Sequence, residues 1–154
     1  MSAMSQKLQK LLAQSPLAGV YHLPNSDSKA LKQATLALGY GWLQADLGEK
    51  RNIAAVLEKL GKALKLPDWY GANFDALSDC LTDLSWNTAP GYVLLLSGAD
   101  QLHARDQAAF ATLNEVFTGV IENWREAKVP FWVFHVFDDG RPNGLAPLPT
   151  LAAQ

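Results

Sequence analysis

The sequence Leu66-Pro67-Asp68-Trp69-Tyr70-Gly71-Ala72-Asn73-Phe74-Asp75-Ala76-Leu77-Ser78-Asp79-Cys80-Leu81 joins two segments of helical periodicity. Pro67 cannot continue a helix, so the spacing of apolar residues from Ile53 to Leu64 predicts a helix that ends before it. Asn73 is a favourable N-cap residue, and a second helix is predicted from about Asn73 to Leu84. This stretch therefore contains a tight connection followed by a helix.

Strands are predicted on both sides of these two helices. Tyr40–Asp46 precedes them, Tyr92–Leu96 follows them, and Phe131–Val136 comes after a long helix predicted from near Gln107 to Ala127. The two late strands are unbroken apolar runs, which are expected where helices cover both faces of a parallel sheet. The alternation of strands and helices predicts an α/β fold.

The first forty residues add a further strand and helix to this pattern. Gly19–Leu23 is predicted to be a strand, and a helix is predicted from about Lys29 to Leu38. Gln6–Ala13 has helical spacing but ends at Ser15-Pro16, so it is read as a short helix or as a loosely docked arm.

The predicted domain organisation is an N-terminal arm over residues 1–18, one α/β domain over 19–138 and a flexible tail over 139–154. The tail begins with a turn-rich stretch and contains three prolines within the last fourteen residues. A length of 154 residues is consistent with one domain.

Composition excludes several classes of protein. The chain is 49% hydrophobic and 18% charged, as in ordinary globular proteins, and its longest apolar runs are too short to cross a membrane. A polar N-terminus and a lone cysteine, Cys80, favour the cytoplasm. Lysine and arginine are scattered, so nucleic acid is not expected as a direct ligand.

Negative charge is concentrated in one part of the chain. Between Leu66 and Ala104 there are five aspartates and no lysine or arginine, although the whole chain carries a net charge of only −2. At helical spacing the apolar and acidic residues of the second helix fall on opposite sides. The apolar side holds Phe74, Leu77, Leu81 and Leu84, and the acidic side holds Asp75, Asp79 and Asp83. A surface of this kind suits a cationic partner, but solvated acidic faces are also common.

Other residues of the motif have both structural and functional interpretations. Trp69 and Tyr70 lie in a short connection, where either ring could be exposed to a partner or packed back as core. Asn73 is more simply an N-cap than a partner contact, and Cys80 is more simply a buried thiol than a nucleophile. The three histidines have no metal-ligand spacing and are interpreted as core or surface residues.

The motif from Leu66 to Leu81 resembles the signature of the barstar family, whose members are protein inhibitors of small secreted ribonucleases. The resemblance covers roughly residues 40–136. It implies a three-stranded parallel sheet flanked by helices, to which the strand before Tyr40 would add an edge strand. It also implies a non-catalytic protein, without cofactor or metal, that is a monomer when free and binds a small basic ribonuclease.

The resemblance further implies a role for particular residues. Asp79 would be the central anchor in the basic active site of the nuclease, and Asp75 would support it from one turn earlier. Further contacts would come from the connection, the same helix and the last helix: Trp69, Tyr70, Gly71, Asn73, Ser78, Asp83, Trp86 and Glu126. Trp69 replaces a family tyrosine, Ser78 replaces a tryptophan of the best-known member, and Trp86 lies two residues later than expected.

Two other functions remain open at the level of sequence. The acidic helix could bind a different basic protein as a regulatory module, since Ser78 and Trp69 change the contact surface. Alternatively, Asp75, Asp79 and Asp83 could hold a metal ion in a hydrolase, although acids one turn apart on a straight helix would need further ligands.

Overall fold

The computed structural model describes residues 2–48, 50–137 and 144–149. Its helices are α1 (Ala3–Leu12), α2 (Ser28–Ala37), α3 (Ile53–Ala63), α4 (Phe74–Asp83), α5 (Asp100–Arg105) and α6 (Gln107–Glu126). Its strands are β1 (Val20–His22), β2 (Gly41–Asp46), β3 (Tyr92–Ser97), β4 (Phe131–Val136) and β5 (Ala146–Pro147). Two short 3-10 turns, Ser15–Leu17 and Asn25–Asp27, flank β1.

All five strands are parallel and form one sheet in the order β2-β3-β4-β1-β5. In the register of the central strands, Leu43 lies beside Leu94, and Leu94 lies beside Val133. Every residue of β4 is buried, as are the first five of β3. The predicted α/β fold with a parallel sheet is confirmed, and unbroken apolar strands occupy its centre.

The predicted N-terminal strand is present, but the prediction that it lies at the edge of the sheet is wrong. β1 pairs with β4 on one side, and on the other side Tyr21 and His22 pair with Ala146 and Pro147 of β5. β5 is the outer strand on this side of the described sheet. Proline has no backbone N–H, and an edge strand tolerates it because its outer side donates no hydrogen bond to a neighbouring strand. This strand lies within the predicted tail over 139–154; residues 138–143 and 150–154 of that region are outside the described residues.

Helices cover both faces of the sheet. On one face the Trp132 indole Nε1–H donates to the carbonyl of Leu12 at 3.0 Å, which brings the end of α1 against β4. α2 lies on the same face, where the Lys32 ammonium is 6.0 Å from the centre of the Trp42 ring. On the opposite face Trp124 of α6 packs on Tyr92 of β3, with ring centres 5.3 Å apart. The result is a three-layer α/β/α domain.

The region predicted as an arm over residues 1–18 contains helix α1. Of the two interpretations of Gln6–Ala13, a short helix and a loosely docked arm, the structure has the short helix. Leu8, Leu11 and Leu12 of α1 are buried in the main core. The Tyr40 hydroxyl also donates to the Leu12 carbonyl, at 3.3 Å. Within the described part of the chain, no helix is long and apolar enough to cross a membrane.

Candidate functional site

The residues that flank α4, Asn73 and Leu84, determine where the helix begins and ends. The Asn73 side-chain Oδ1 accepts a hydrogen bond from the Ala76 N–H at 2.8 Å, which satisfies one of the free donors of the first turn. At the other end Leu84 has φ = 43°, a left-handed conformation that stops the helix. The predicted helix and the N-cap role of Asn73 are confirmed.

The two sides of α4 are as different as its sequence predicts. Leu77, Cys80 and Leu81 are buried, whereas the carboxylates of Asp75, Asp79 and Asp83, which we call the acidic row, are exposed. The helix is fixed to α6 because the Trp124 indole Nε1–H donates to the carbonyl of Leu81 at 2.8 Å. α4 therefore presents the acidic row to solvent from a fixed position.

The acidic row has no internal cation among the described residues. The ion pair between Lys62 and Glu58, at 3.4 Å, lies on α3 and involves none of these three aspartates. Asp83 accepts a hydrogen bond from the Ser85 hydroxyl at 3.1 Å, but this contact brings no positive charge. Three carboxylates on one helix side thus remain available to a cationic partner.

The acidic row affects the pKa of the neighbouring Cys80 thiol. Burial raises the pKa of its thiol, and the neighbouring charges of Asp79 and Asp83 raise that pKa further. A thiol with a raised pKa and no accessible surface is a poor nucleophile. The interpretation of Cys80 as a buried thiol is confirmed.

The two aromatic residues before α4 have opposite environments. Trp69 is 56% exposed. Tyr70 is turned back on α3, where its hydroxyl donates to the Leu57 carbonyl at 2.7 Å and its ring lies against Gly61. Burial, and to a lesser degree the neighbouring Cys80, raises the pKa of Tyr70 to about 12. Tyr70 therefore anchors the connection, and Trp69 is the ring that it leaves in solvent.

The turn into α4 is made by Ala72. Its φ of 52° is in the left-handed region, whereas the φ of the neighbouring Gly71 is not. Gly71 is exposed, and its carbonyl lies 3.5 Å from the Asn73 amide nitrogen. The predicted partner contacts Gly71 and Asn73 thus lie side by side at the start of the helix.

The remaining predicted contacts lie around α4. Ser78 is half-buried, and its carbonyl accepts a hydrogen bond from the Thr82 hydroxyl at 2.8 Å. Trp86 follows the end of the helix and is 37% exposed. Glu126 is exposed in the last turn of α6, two residues after Trp124, which contacts α4. Trp124 was not singled out from sequence; its position as an aromatic on a long amphipathic helix was the available signal.

The histidines do not join the acidic row. His135 is fully buried on β4, where its Nε2 lies 2.8 Å from the Asn114 Oδ1, and His22 is its neighbour on β1. His103 packs edge-on against Phe110. In the described parts of the chain, no group of three or more His, Cys, Asp or Glu residues could hold a metal ion, so the hydrolase alternative gains no support.

Comparison with known protein families identifies the family of this chain. A family model described as Barstar (barnase inhibitor) matches residues 41–136. No curated protein matches the chain. The matched span contains β2, β3 and β4 and the four helices from α3 to α6, and it begins after α1, β1 and α2.

Proposed function

This chain belongs to the barstar family, and from this membership we propose that it inhibits a small basic ribonuclease by covering the active site of that enzyme. The observation that carries the proposal is the acidic row, three exposed carboxylates on one helix with no internal cation among the described residues. Its action requires binding alone, so the chain itself is proposed to be non-catalytic.

Asp79 is the proposed anchor because it occupies the middle of the acidic row. A ribonuclease active site holds cationic side chains that bind the phosphates of RNA, and carboxylates can accept the same charge-assisted hydrogen bonds. Asp75 and Asp83 lie one turn to either side of Asp79 and strengthen the local negative potential. The acidic row would thus occupy the positions of substrate phosphates.

Aromatic residues stand at both ends of α4. Trp69 precedes the helix and Trp86 follows it, and both expose enough ring surface to pack on a partner. We assign Tyr70 a positioning role, because its hydroxyl and ring are occupied by α3 and it holds the segment that carries Trp69. Gly71 and Asn73 would contact the partner through the start of the helix.

Glu126 would add a further negative charge from the end of α6. It is exposed, and the contact between Trp124 and Leu81 holds its helix against α4. Ser78, a small half-buried side chain between the acids, would leave room for a larger side chain of the partner. Ser78 and Trp69 would therefore select which ribonuclease is bound.

Titration against a panel of small basic ribonucleases tests this proposal. At least one enzyme should be inhibited, and Asp79→Ala should weaken the affinity at least 100-fold, since removing one member of a desolvated ion pair costs roughly 3–5 kcal/mol. Glu115→Ala, which removes one exposed negative charge elsewhere on α6, is the matched control and should change the affinity less than threefold. Inhibition that is undiminished by Asp79→Ala would refute the assigned anchor.

Ionic strength supplies a second readout. Because exposed charges steer association, the association rate should fall by about tenfold or more between 0.02 and 0.5 M salt, while the dissociation rate changes less. Stopped-flow measurement of tryptophan fluorescence, to which Trp69 and Trp86 contribute, would follow both rates. A salt-independent association rate would contradict electrostatic steering by the acidic row.

A second candidate is a regulator that binds another basic protein through the same surface. The observation in its favour is the pair Ser78 and Trp69, which depart from the family pattern at the centre and edge of the surface. Affinity purification with the wild type and Asp79→Ala side by side would distinguish the two. Recovery of a basic protein without ribonuclease activity, lost in Asp79→Ala, would favour this alternative.

A further inference from the structure

The outer side of β2 is an open sheet edge. Within the described part of the chain, β2 pairs with β3 alone. Gly41 and Leu47 donate their backbone N–H groups to carbonyls on the β3 side, at 2.9 and 2.7 Å. Because alternate residues of a strand direct their backbone groups to the same side, those of Trp42, Gln44 and Asp46 point away from the sheet. These three residues offer free donors and acceptors to another strand.

The side chains beside this edge form a surface with separated charges. The Trp42 indole Nε1–H donates to the Gln44 Oε1 at 3.2 Å, and the Lys32 ammonium lies 6.0 Å from the centre of the Trp42 ring. Leu36, one helical turn after Lys32, is 58% exposed. Asp46 is exposed at the far end of the strand. One end of the edge is therefore aromatic and cationic, and the other end is anionic.

We propose that two copies of this chain associate through β2, antiparallel and about a two-fold axis that passes through Gln44. In this register Trp42 of one copy lies opposite Asp46 of the other, and Gln44 lies opposite itself. All three residues then form hydrogen-bonded pairs, since each directs its N–H and carbonyl outward. The two sheets become one continuous sheet, and the interface uses the same patch of both copies, as two-fold symmetry requires.

The distribution of charge favours a second copy over another occupant. Side chains directly opposite each other across antiparallel strands have Cβ atoms about 5 Å apart. Lys32, which lies over Trp42, is therefore brought beside Asp46 of the other copy, and the same pairing occurs twice by symmetry. A strand without a cation at one end and a carboxylate at the other would lack this self-complementarity.

Sedimentation equilibrium of the full chain over 1 µM to 1 mM tests the association. The average mass should rise from 16.8 kDa toward twice that value. Gln44→Pro should remain a monomer throughout, because proline removes the outward N–H while an edge strand tolerates it. Gln44→Thr keeps the N–H and is the matched control that should still associate. A wild type that remains at 16.8 kDa at 1 mM, or a Gln44→Pro variant that associates as the wild type does, overturns the proposal.

Charge reversal tests the register independently of folding. Lys32→Glu and Asp46→Lys should each weaken the dimer at least fivefold, since each places like charges together across the axis. The double variant Lys32→Glu/Asp46→Lys should recover the wild-type dissociation constant within about twofold, because opposite charges again face each other. Circular dichroism confirms that each variant is folded, and the absence of recovery in the double variant overturns the register.

The association is independent of the proposed inhibition. Its residues lie on α2 and β2, whereas the acidic row lies on α4. Gln44→Pro should therefore inhibit a ribonuclease as well as the wild type does when both are assayed at nanomolar concentration. Loss of the dimer with intact inhibition and loss of inhibition with an intact dimer are separate outcomes.

Discussion

Neighbouring residues of one motif have different roles because their surroundings differ. Trp69 and Tyr70 are adjacent large aromatics, and the sequence left open which of them would pack as core. In the structure Tyr70 is the ring that packs back, because its hydroxyl donates a hydrogen bond to the Leu57 carbonyl. A tryptophan at that position has no hydroxyl and could not make this bond in the same geometry. Partners separated by thirteen residues in sequence cannot be read from local pattern.

Cys80 is expected to be inert in the folded protein. Burial is the main cause of its raised pKa, with the acids Asp79 and Asp83 adding to it, so both access and thiolate formation are suppressed. Iodoacetamide at pH 8 should modify native Cys80 roughly 100-fold more slowly than the unfolded chain. Mass spectrometry of timed samples measures both rates.

A control cysteine separates burial from the local field. Ser85→Cys in a Cys80→Ala background places a thiol at an exposed position just after α4, and it should react at a rate near that of the unfolded chain. Rapid modification of native Cys80 would show that α4 opens readily, which is incompatible with a rigid acidic row.

At the scale of elements, long and strongly periodic segments of sequence predicted the bounds of their helices and strands well, whereas the shortest elements were not predicted. β4 has the bounds that its apolar run predicts, and α6 differs from its prediction by one residue. Helix α5 has only six residues and β5 has two residues, one of them a proline, so neither is long enough to show a repeating pattern in the sequence. Their formation depends on packing against α6 and β1, which local sequence does not encode.

Two helical glycines should respond oppositely to the same substitution. A Cβ at Gly61 would lie 2.6 Å from the Tyr70 ring, which cannot move away freely because its hydroxyl is bound to Leu57. Gly61→Ala should therefore destabilise the protein by about 1–3 kcal/mol. A Cβ at Gly119 meets no atom within 4 Å, so Gly119→Ala should stabilise by about 0.5–1 kcal/mol. Urea unfolding followed by circular dichroism measures both changes.

A double-mutant cycle tests the cause of the Gly61 effect. In a Tyr70→Leu background the obstructing ring is absent, so Gly61→Ala should lose most of its cost. An unchanged cost in that background would mean that the strain lies within α3 rather than in its contact with the connection that carries Trp69.

At the scale of the whole molecule, the stability should depend on pH through one buried histidine. Burial, and secondarily the charge of His22, lowers the pKa of His135 from 6.5 to about 3. Between these values the unfolded chain binds a proton at this position and the folded protein does not, so the free energy of unfolding falls as the pH falls below 6.5. The expected loss from this group between pH 7 and pH 5 is about 2 kcal/mol.

Urea unfolding at pH 5, 6 and 7 measures this dependence. Carboxylates also titrate toward pH 5, so the comparison is with His135→Gln, which keeps an amide that can bind Asn114 but does not titrate. The slope of stability against pH between 5 and 6.5 should be smaller in the variant than in the wild type. Equal slopes would exclude His135 as the source.

The architecture as a whole was predictable to the level of layers and strand direction. The sheet, the helices and the acidic row followed from periodicity, and the family resemblance agreed with the matched span of residues 41–136. The place of β1 between β4 and β5 was not predictable, because strand order is set by contacts more than one hundred residues apart. The contact of α1 with Trp132 is of the same kind.

The position of β1 links folding to the order of synthesis. A ribosome makes α1 and β1 well before β4 and β5, the two strands that hold β1 on either side. Non-local pairing of this kind is slow, because a long loop must close before any contact rewards it. Until β4 and β5 have been made, β1 lacks both of its sheet partners and α1 has the neighbouring α2 as its main packing partner. We therefore expect β1 to be exposed to aggregation during synthesis.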